Sequence, residues 1–176
     1  MKSIPSRGEC LELLKKYKVP QNVIAHCMKV NEVAMFLARK MKERGEKVNP
    51  ELVNAASLLH DLDKIEDIRN GGGRHGVLSR EILEKEGYPE VGKIAEKHTM
   101  HTILKTDCLL TLEEKIVFYA DKRVKHDKIV SLDERFGYLR KTYPQYLDSI
   151  NRAESLVKKL EKELMEKAGI SADEIK

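Results

Sequence analysis

The chain has no tryptophan, only three cysteines, five prolines and ten glycines, and nowhere a run of roughly 18 apolar residues that could cross a bilayer. Cys10, Cys27 and Cys108 are odd in number and widely spread. They form neither a disulfide framework nor a zinc knuckle, and they suggest a reducing compartment. With no signal-peptide pattern at the start, these absences predict a soluble, cytoplasmic protein with no membrane partner. Charge of one sign is also scarce: 33 basic and 29 acidic residues leave a formal net charge of +4, which argues against a dedicated nucleic-acid surface. Period-two alternation long enough for a strand is missing, so the chain reads as all-α. The one low-complexity stretch, Asn70-Gly71-Gly72-Gly73, lacks the Gly-Lys-Ser/Thr ending and the preceding strand of a phosphate loop, and reads as a mobile connector or lid.

What is present is enough apolar material, 41% of 176 residues, for one compact domain spanning 1–176. Apolar positions at helical spacing predict a helix from Ser6 to Tyr17 and a long one from about Gln21 to Arg44, with His26 on its inward stripe. Asn49 and Pro50 cap and open a helix through Val53, Ala56 and Leu59 that ends in His60-Asp61. A helix from His75 to about Glu86 follows, then one from Pro89 that carries His98 and His101 on its periodic face, His98 inward. Thr111 with Glu114, and Ser131 with Glu134, have capping-box spacing. Asp121 lies on the apolar stripe of the first of these two helices, between Val117 and Val124. From Pro144 to Lys167 a long amphipathic helix is expected, packed on the core or on a second copy of the chain.

His26, His60, Asp61 and Asp121 thus break separate buried stripes with metal-competent side chains. A buried carboxylate needs a partner, and a divalent cation is the partner that imidazoles and carboxylates share.

This order of residues resembles the HD superfamily of metal-dependent phosphohydrolases over about 22–143. His26-Cys27-Met28-Lys29-Val30-Asn31-Glu32-Val33-Ala34 is similar to the family's first-histidine helix, Leu58-Leu59-His60-Asp61-Leu62-Asp63-Lys64 to its signature, and Tyr119-Ala120-Asp121-Lys122 to its final aspartate segment. The resemblance implies an all-α, multi-helix HD bundle with residues 144–168 as a C-terminal helix, and makes His26, His60, Asp61 and Asp121 metal ligands. Arg74-His75-Gly76 and Lys97-His98-Thr99 resemble the two extra histidines of the two-metal branch, which includes the HD-type symmetrical diadenosine tetraphosphate hydrolases. His75 and His98 would then complete a site for one or two divalent ions: iron, manganese, or another such as magnesium, cobalt, nickel or zinc.

The implied activity is hydrolysis of a phosphoester or phosphoanhydride in a nucleotide or similar small phosphorylated metabolite. Asp61 would bridge the ions and orient or deprotonate water, and Lys64 would offer a positive charge to phosphate. Arg123, two residues past Asp121, is a candidate to approach substrate from its position alone. His101 and His126 are left outside the ligand set. Two other readings are a di-iron oxygenase of the same fold and a non-catalytic nucleotide-binding regulatory domain.

Overall fold

The computed structural model describes residues 4–69, 71–105, 109 and 111–176. Asn70 and Cys108, named above, lie outside them.

Local sequence chemistry sets the helix starts. Ser6 and Glu9 close a reciprocal capping box at the head of α1 (Arg7–Lys16), and Thr111 and Glu114 do the same for α7 (Leu112–Lys122). Pro20 precedes α2 (Gln21–Glu43), and the Asn49 side chain accepts from the N–H groups of Glu51 and Leu52 to open α3 (Pro50–Leu59). The chain then passes through α4 (Lys64–Arg69), α5 (Val77–Glu86) and α6 (Pro89–Glu96). Gly87 in the left-handed region ends α5, and Pro89 starts α6 two residues later. A 3₁₀ turn, Met100–Leu104, leads towards α7.

Two expectations, on the end of α6 and on the Ser131 capping box, are corrected here, and one short element is added to the all-α fold. α6 stops at Glu96, so His98 and His101 do not continue its face: His98 lies in the turn that follows, and His101 in the 3₁₀ segment. A short antiparallel hairpin, β1 (Val124–Lys125) with β2 (Lys128–Ile129), interrupts the helices. Two residues per strand leave no alternation to read. At Ser131 the side chain caps the Glu134 N–H of α8 (Leu132–Thr142), but the Glu134 carboxylate meets the Lys125 Nζ at 2.5 Å.

After a 3₁₀ turn at Pro144–Tyr146, α9 (Leu147–Ala168) runs back across the molecule to Gly169. Ile150, Ala153, Val157, Leu160 and Leu164 join the core of the same chain, where α9 meets α2, α7 and α8. The most extensive packing is α2 on α3, with α7 against both. Leu37, Met41, Leu58, Leu59, Ile116, Phe118 and Tyr119 are fully or almost fully buried there. Each large side chain of that kind contributes about 1.5–3 kcal/mol on burial, so the three helices that carry His26, His60 and Asp121 are held where the core is densest. Among the described residues no helix is long and apolar enough to cross a membrane.

Candidate metal centre

His60 is the fixed point of the site. It continues the helical turn at the end of α3, and its Nδ1 donates to the Ser57 carbonyl at 2.8 Å, one of the carbonyls a helix end leaves without a partner. A carbonyl has no proton to give, so the proton is on Nδ1 and the lone pair is on Nε2. That Nε2 is buried and has no hydrogen-bond partner. Burial, together with the neighbouring imidazoles of His98 and His26 and against the pull of Asp61, lowers the His60 pKa to about 4. His60 is therefore a neutral imidazole whose Nε2 lone pair is buried and unshared.

The same logic fixes the others. His26 Nδ1 donates to the His126 carbonyl at 2.7 Å, and His98 Nδ1 to the Ala95 carbonyl at 2.6 Å. His75 Nδ1 donates to Asp63 Oδ1 at 2.8 Å. In all four histidines an oxygen acceptor holds Nδ1 and turns Nε2 towards the carboxylate of Asp61 or Asp121, the arrangement that orients imidazoles for a metal.

The Nε2 atoms converge with the carboxylates. His26 Nε2 lies 3.0 Å and His60 Nε2 3.7 Å from Asp121 Oδ1. Asp61 Oδ1 lies 3.0 Å from His75 Nε2, 3.3 Å from His98 Nε2 and 3.9 Å from His60 Nε2. Two donors on one ion, each about 2.1 Å from it, stand roughly 3–3.7 Å apart at coordination angles near 90–120°, so these spacings, apart from the slightly longer His60–Asp61 one, are those of shared coordination spheres. The ligand atoms of His26, His60 and Asp121, and those of His60, Asp61 and His98, each fall within 4.8 Å of one another. His75 Nε2 and His98 Nε2 face each other at 2.9 Å. Two lone pairs do not sit that close unless a proton or a cation lies between them.

Protonation answers the same need. His75 is raised to about 9: burial alone would lower it, but hydrogen bonds to Asp61 and Asp63 outweigh that. For Asp61, burial pushes the carboxyl up, yet hydrogen bonds from His75 and His98 and the charge of Lys64 hold it well below the usual range. Asp121 is held low too, with Lys122 and His26 overcoming burial. The donor set therefore fits a divalent cation, which would displace the imidazolium protons and neutralise both carboxylates.

Lys64, at the start of α4, points its Nζ at Asp61 Oδ2, 3.7 Å away, and is in the wall of the cavity. The expectation for Arg123 is corrected. Its guanidinium is buried away from the cavity, donating to the Val130 carbonyl, the Tyr119 hydroxyl and the Ala172 carbonyl, with Glu161 at 3.6 Å. It ties the C-terminal segment to α7. His126 contributes its backbone carbonyl to His26, and neither it nor His101 belongs to the two donor groups.

Two residues escaped the sequence reading. Asp63 is fully buried and, besides holding His75, accepts from the backbone N–H groups of Gly76 at 2.6 Å and Ser79 at 3.1 Å. Gly76 has φ +86°, and a Cβ there would meet the Glu96 carbonyl oxygen at 2.8 Å; only glycine lets the head of α5 approach the end of α6 and bring His75 to His98. Lys122 is buried with its Nζ on Asp121 Oδ2 and on the His98 carbonyl at 2.7 Å, joining the two sides of the site. The signal for both was present: each is a charged residue next to, or two from, an inward-facing carboxylate.

Beside the donors lies a cavity of about 420 Å³ walled by Lys64, Thr99, Met100, Arg135, Tyr138 and Tyr143 together with His26, Asp61, His75, His98 and Asp121, while the fully buried His60 is not in its wall.

The HD domain family model matches residues 23–124. The chain is 35% identical to an uncharacterised protein of Methanocaldococcus jannaschii over 82% of this chain and 90% of that one. It is 30% identical to a tRNA (cytidine(56)-2'-O)-methyltransferase of Thermoplasma volcanium, over 99% of this chain and 51% of the relative. A tRNA (cytidine(56)-2'-O)-methyltransferase of Picrophilus torridus matches at 29% with the same coverage. The chain thus spans about half the length of these two methyltransferases. No solved structure gives a significant match. With a fold of packed helices, an HD dipeptide at the end of α3 and a family match over more than half its length, the chain belongs to the HD domain family, a metal-dependent hydrolase superfamily.

Proposed function

We propose that the protein is a metal-dependent phosphohydrolase, cytoplasmic, that cleaves a phosphoester or phosphoanhydride bond of a nucleotide or similar small phosphorylated metabolite. The observation that carries this reading is the fully buried, partnerless His60 Nε2 at the junction of two donor groups. His26, His60, Asp61 and Asp121 would hold one cation, and Asp61, His75 and His98 a second, with Asp61 common to both. When bound, a divalent ion supplies Lewis acidity towards the phosphoryl oxygen and lowers the pKa of water, so that hydroxide is available near neutral pH.

The chain's own residues do the rest. Asp61 stays ionised and takes up or orients the proton of the attacking water. Lys64 is raised above its ordinary pKa: burial opposes this, but Asp61 and Asp121 prevail, so it remains a cation able to receive a phosphate oxygen. Lys122, spent on Asp121 and the His98 carbonyl, positions these groups and does not face substrate first. Asp63 keeps His75 aimed.

The test is turnover on a panel of phosphomonoesters, phosphodiesters, nucleoside triphosphates and dinucleoside polyphosphates with several divalent ions. Because two relatives carry a tRNA methyltransferase name, the panel includes tRNA bearing terminal phosphates. His60→Ala and Asp61→Ala should each lose at least about a hundredfold in kcat, the scale of removing a group that acts on the reacting atoms. Wild-type-like turnover in both variants, or no turnover by the metal-loaded parent on any substrate, would end the assignment.

A further inference from the structure

Arg135, on α8, lies in the wall of the cavity with its Nε buried and without a hydrogen-bond partner. Among the described residues no carboxylate comes within ion-pair distance of it, whereas Arg140 on the same helix holds Glu154 at 2.5 Å. Its guanidinium carbon lies 5.9 Å from the centroid of the Tyr138 ring. The cavity wall thus carries a guanidinium that no carboxylate of the described residues neutralises, a group suited to an anionic part of a substrate.

Next to Arg135 the wall changes character. A second cavity, of about 480 Å³, shares Met100, Leu139 and Tyr143 with the first and adds Leu104, Tyr146 and Ile150. Its size is that of a small-molecule site. Tyr143 and Tyr146 are 45% and 60% exposed at the turn between α8 and α9, an unusual concentration of aromatic surface in a chain with so few aromatic residues. Tyrosine rings and a methionine thioether favour a flat π-face, and the His101 ring and Ser149 hydroxyl on the same rim can meet a polar edge. An alkyl chain would leave those polar atoms unused; a nucleobase would not.

The family match stops at residue 124, and Arg135, Leu139, Tyr143, Tyr146 and Ile150 all follow it. The donor set belongs to the matched segment. Most of this wall is added by the rest of the chain, against Met100, His101 and Leu104 of the matched segment.

We infer that α8, the α8–α9 turn and the Met100–Leu104 segment form a specificity subsite for a nucleobase or similar flat heteroaromatic ring, with Arg135 receiving an anionic group between that ring and the metal ligands. The phosphate end of this inference rests on the phosphohydrolase reading; the ring end does not. The occupant is committed by continuity: the apolar cavity adjoins the donor-lined one through three shared residues, so one molecule can reach both.

The experiment separates the two ends. With the divalent ion chelated so that nothing turns over, saturation-transfer NMR on the full chain with AMP should show stronger transfer to the base protons than to the ribose. That transfer should be lost in Tyr143→Ala and in Tyr146→Ala, both of which change exposed side chains. In the metal-loaded protein, the ratio of kcat/KM for AMP to that for ribose 5-phosphate should fall about tenfold in Tyr146→Ala, the scale of one lost stacking contact. Arg135→Gln should raise KM for both substrates, with recovery in Arg135→Lys. Base transfer without hydrolysis of any substrate upholds the subsite and removes the hydrolase reading. Hydrolysis with equal kcat/KM for the two substrates and no base transfer removes the subsite and leaves the hydrolase reading standing. A dimer of the parent that dissociates in Tyr146→Ala would assign the patch to a second copy of the chain and overturn the inference.

Discussion

The two halves of the donor cluster are built differently. His26, His60 and Asp121 stand on α2, α3 and α7, the helices packed most extensively around the core, and their side chains are 14%, 0% and 10% exposed. His75 is 24% exposed and follows Gly71, Gly72 and Gly73, all at positive φ and exposed, so its place depends on Asp63 and on the tight approach at Gly76. One half is positioned by long helices and buried area; the other by a loop and a buried carboxylate. The first should hold an ion tightly before and after substrate binding, and the second should exchange its ion more readily, because local opening draws on the least packed segments.

The largest effect should come from breaking the rigid half. Asp121→Ala removes a donor that two histidines share and leaves Lys122 buried beside an empty position, so loss of the tighter ion by at least about a hundredfold in affinity is expected, with lowered stability on melting. If Asp121→Ala binds the tighter ion like the parent, the helical half is not the tighter site. A smaller effect follows from the looser half: His75→Ala should reduce bound metal by one ion per chain and leave the melting temperature close to that of the parent. Loss of both ions would mean the halves are not separable.

Smaller still is the orienting layer. Asp63→Asn keeps every donor but gives up the carboxylate that accepts from His75 Nδ1, and should weaken only the second ion, by about 10–100-fold. Equal weakening of both ions in a chelator competition would erase the contrast between helix-held and loop-held donors.

Much of this contrast was legible in the sequence. The helical half was readable because each donor interrupts a strong apolar stripe: His26 precedes Val30 by one helical turn, and Asp121 sits between Val117 and Val124. Helix starts were readable from Asn49-Pro50 and from Thr111 with Glu114. The loop half was harder. His75 and His98 entered the ligand set only through the resemblance; periodicity did turn His98 inward, but on a helix that stops short of it, since α5 begins at Val77 and α6 ends at Glu96. Extending the α6 period to His98 and His101 went wrong because the three- and four-residue steps continue through a turn that the backbone does not follow.

The charged residues were hardest to place. Arg123 looked like a substrate contact because it is close in sequence to Asp121, yet it lies at the C-cap of α7, where its guanidinium reaches Val130 and Ala172. The guanidinium in the cavity is that of Arg135, twelve residues on, and no spacing rule connects it to the donors because it arrives from α8 across the hairpin. Asp63 and Lys122 stand close to the donors in sequence, but each is fixed in part by backbone N–H groups or carbonyls of distant segments, Gly76 and Ser79 for Asp63 and His98 for Lys122, partners that side-chain patterns do not name.

The most direct measurement is metal content. Elemental analysis of the purified full chain, equilibrated with manganese or iron and passed through a desalting column, should give two ions per chain for the parent and one for His75→Ala. Fewer than one ion per chain in the parent, or binding unaffected by His60→Ala, would contradict the claim that these imidazoles and carboxylates form a metal centre.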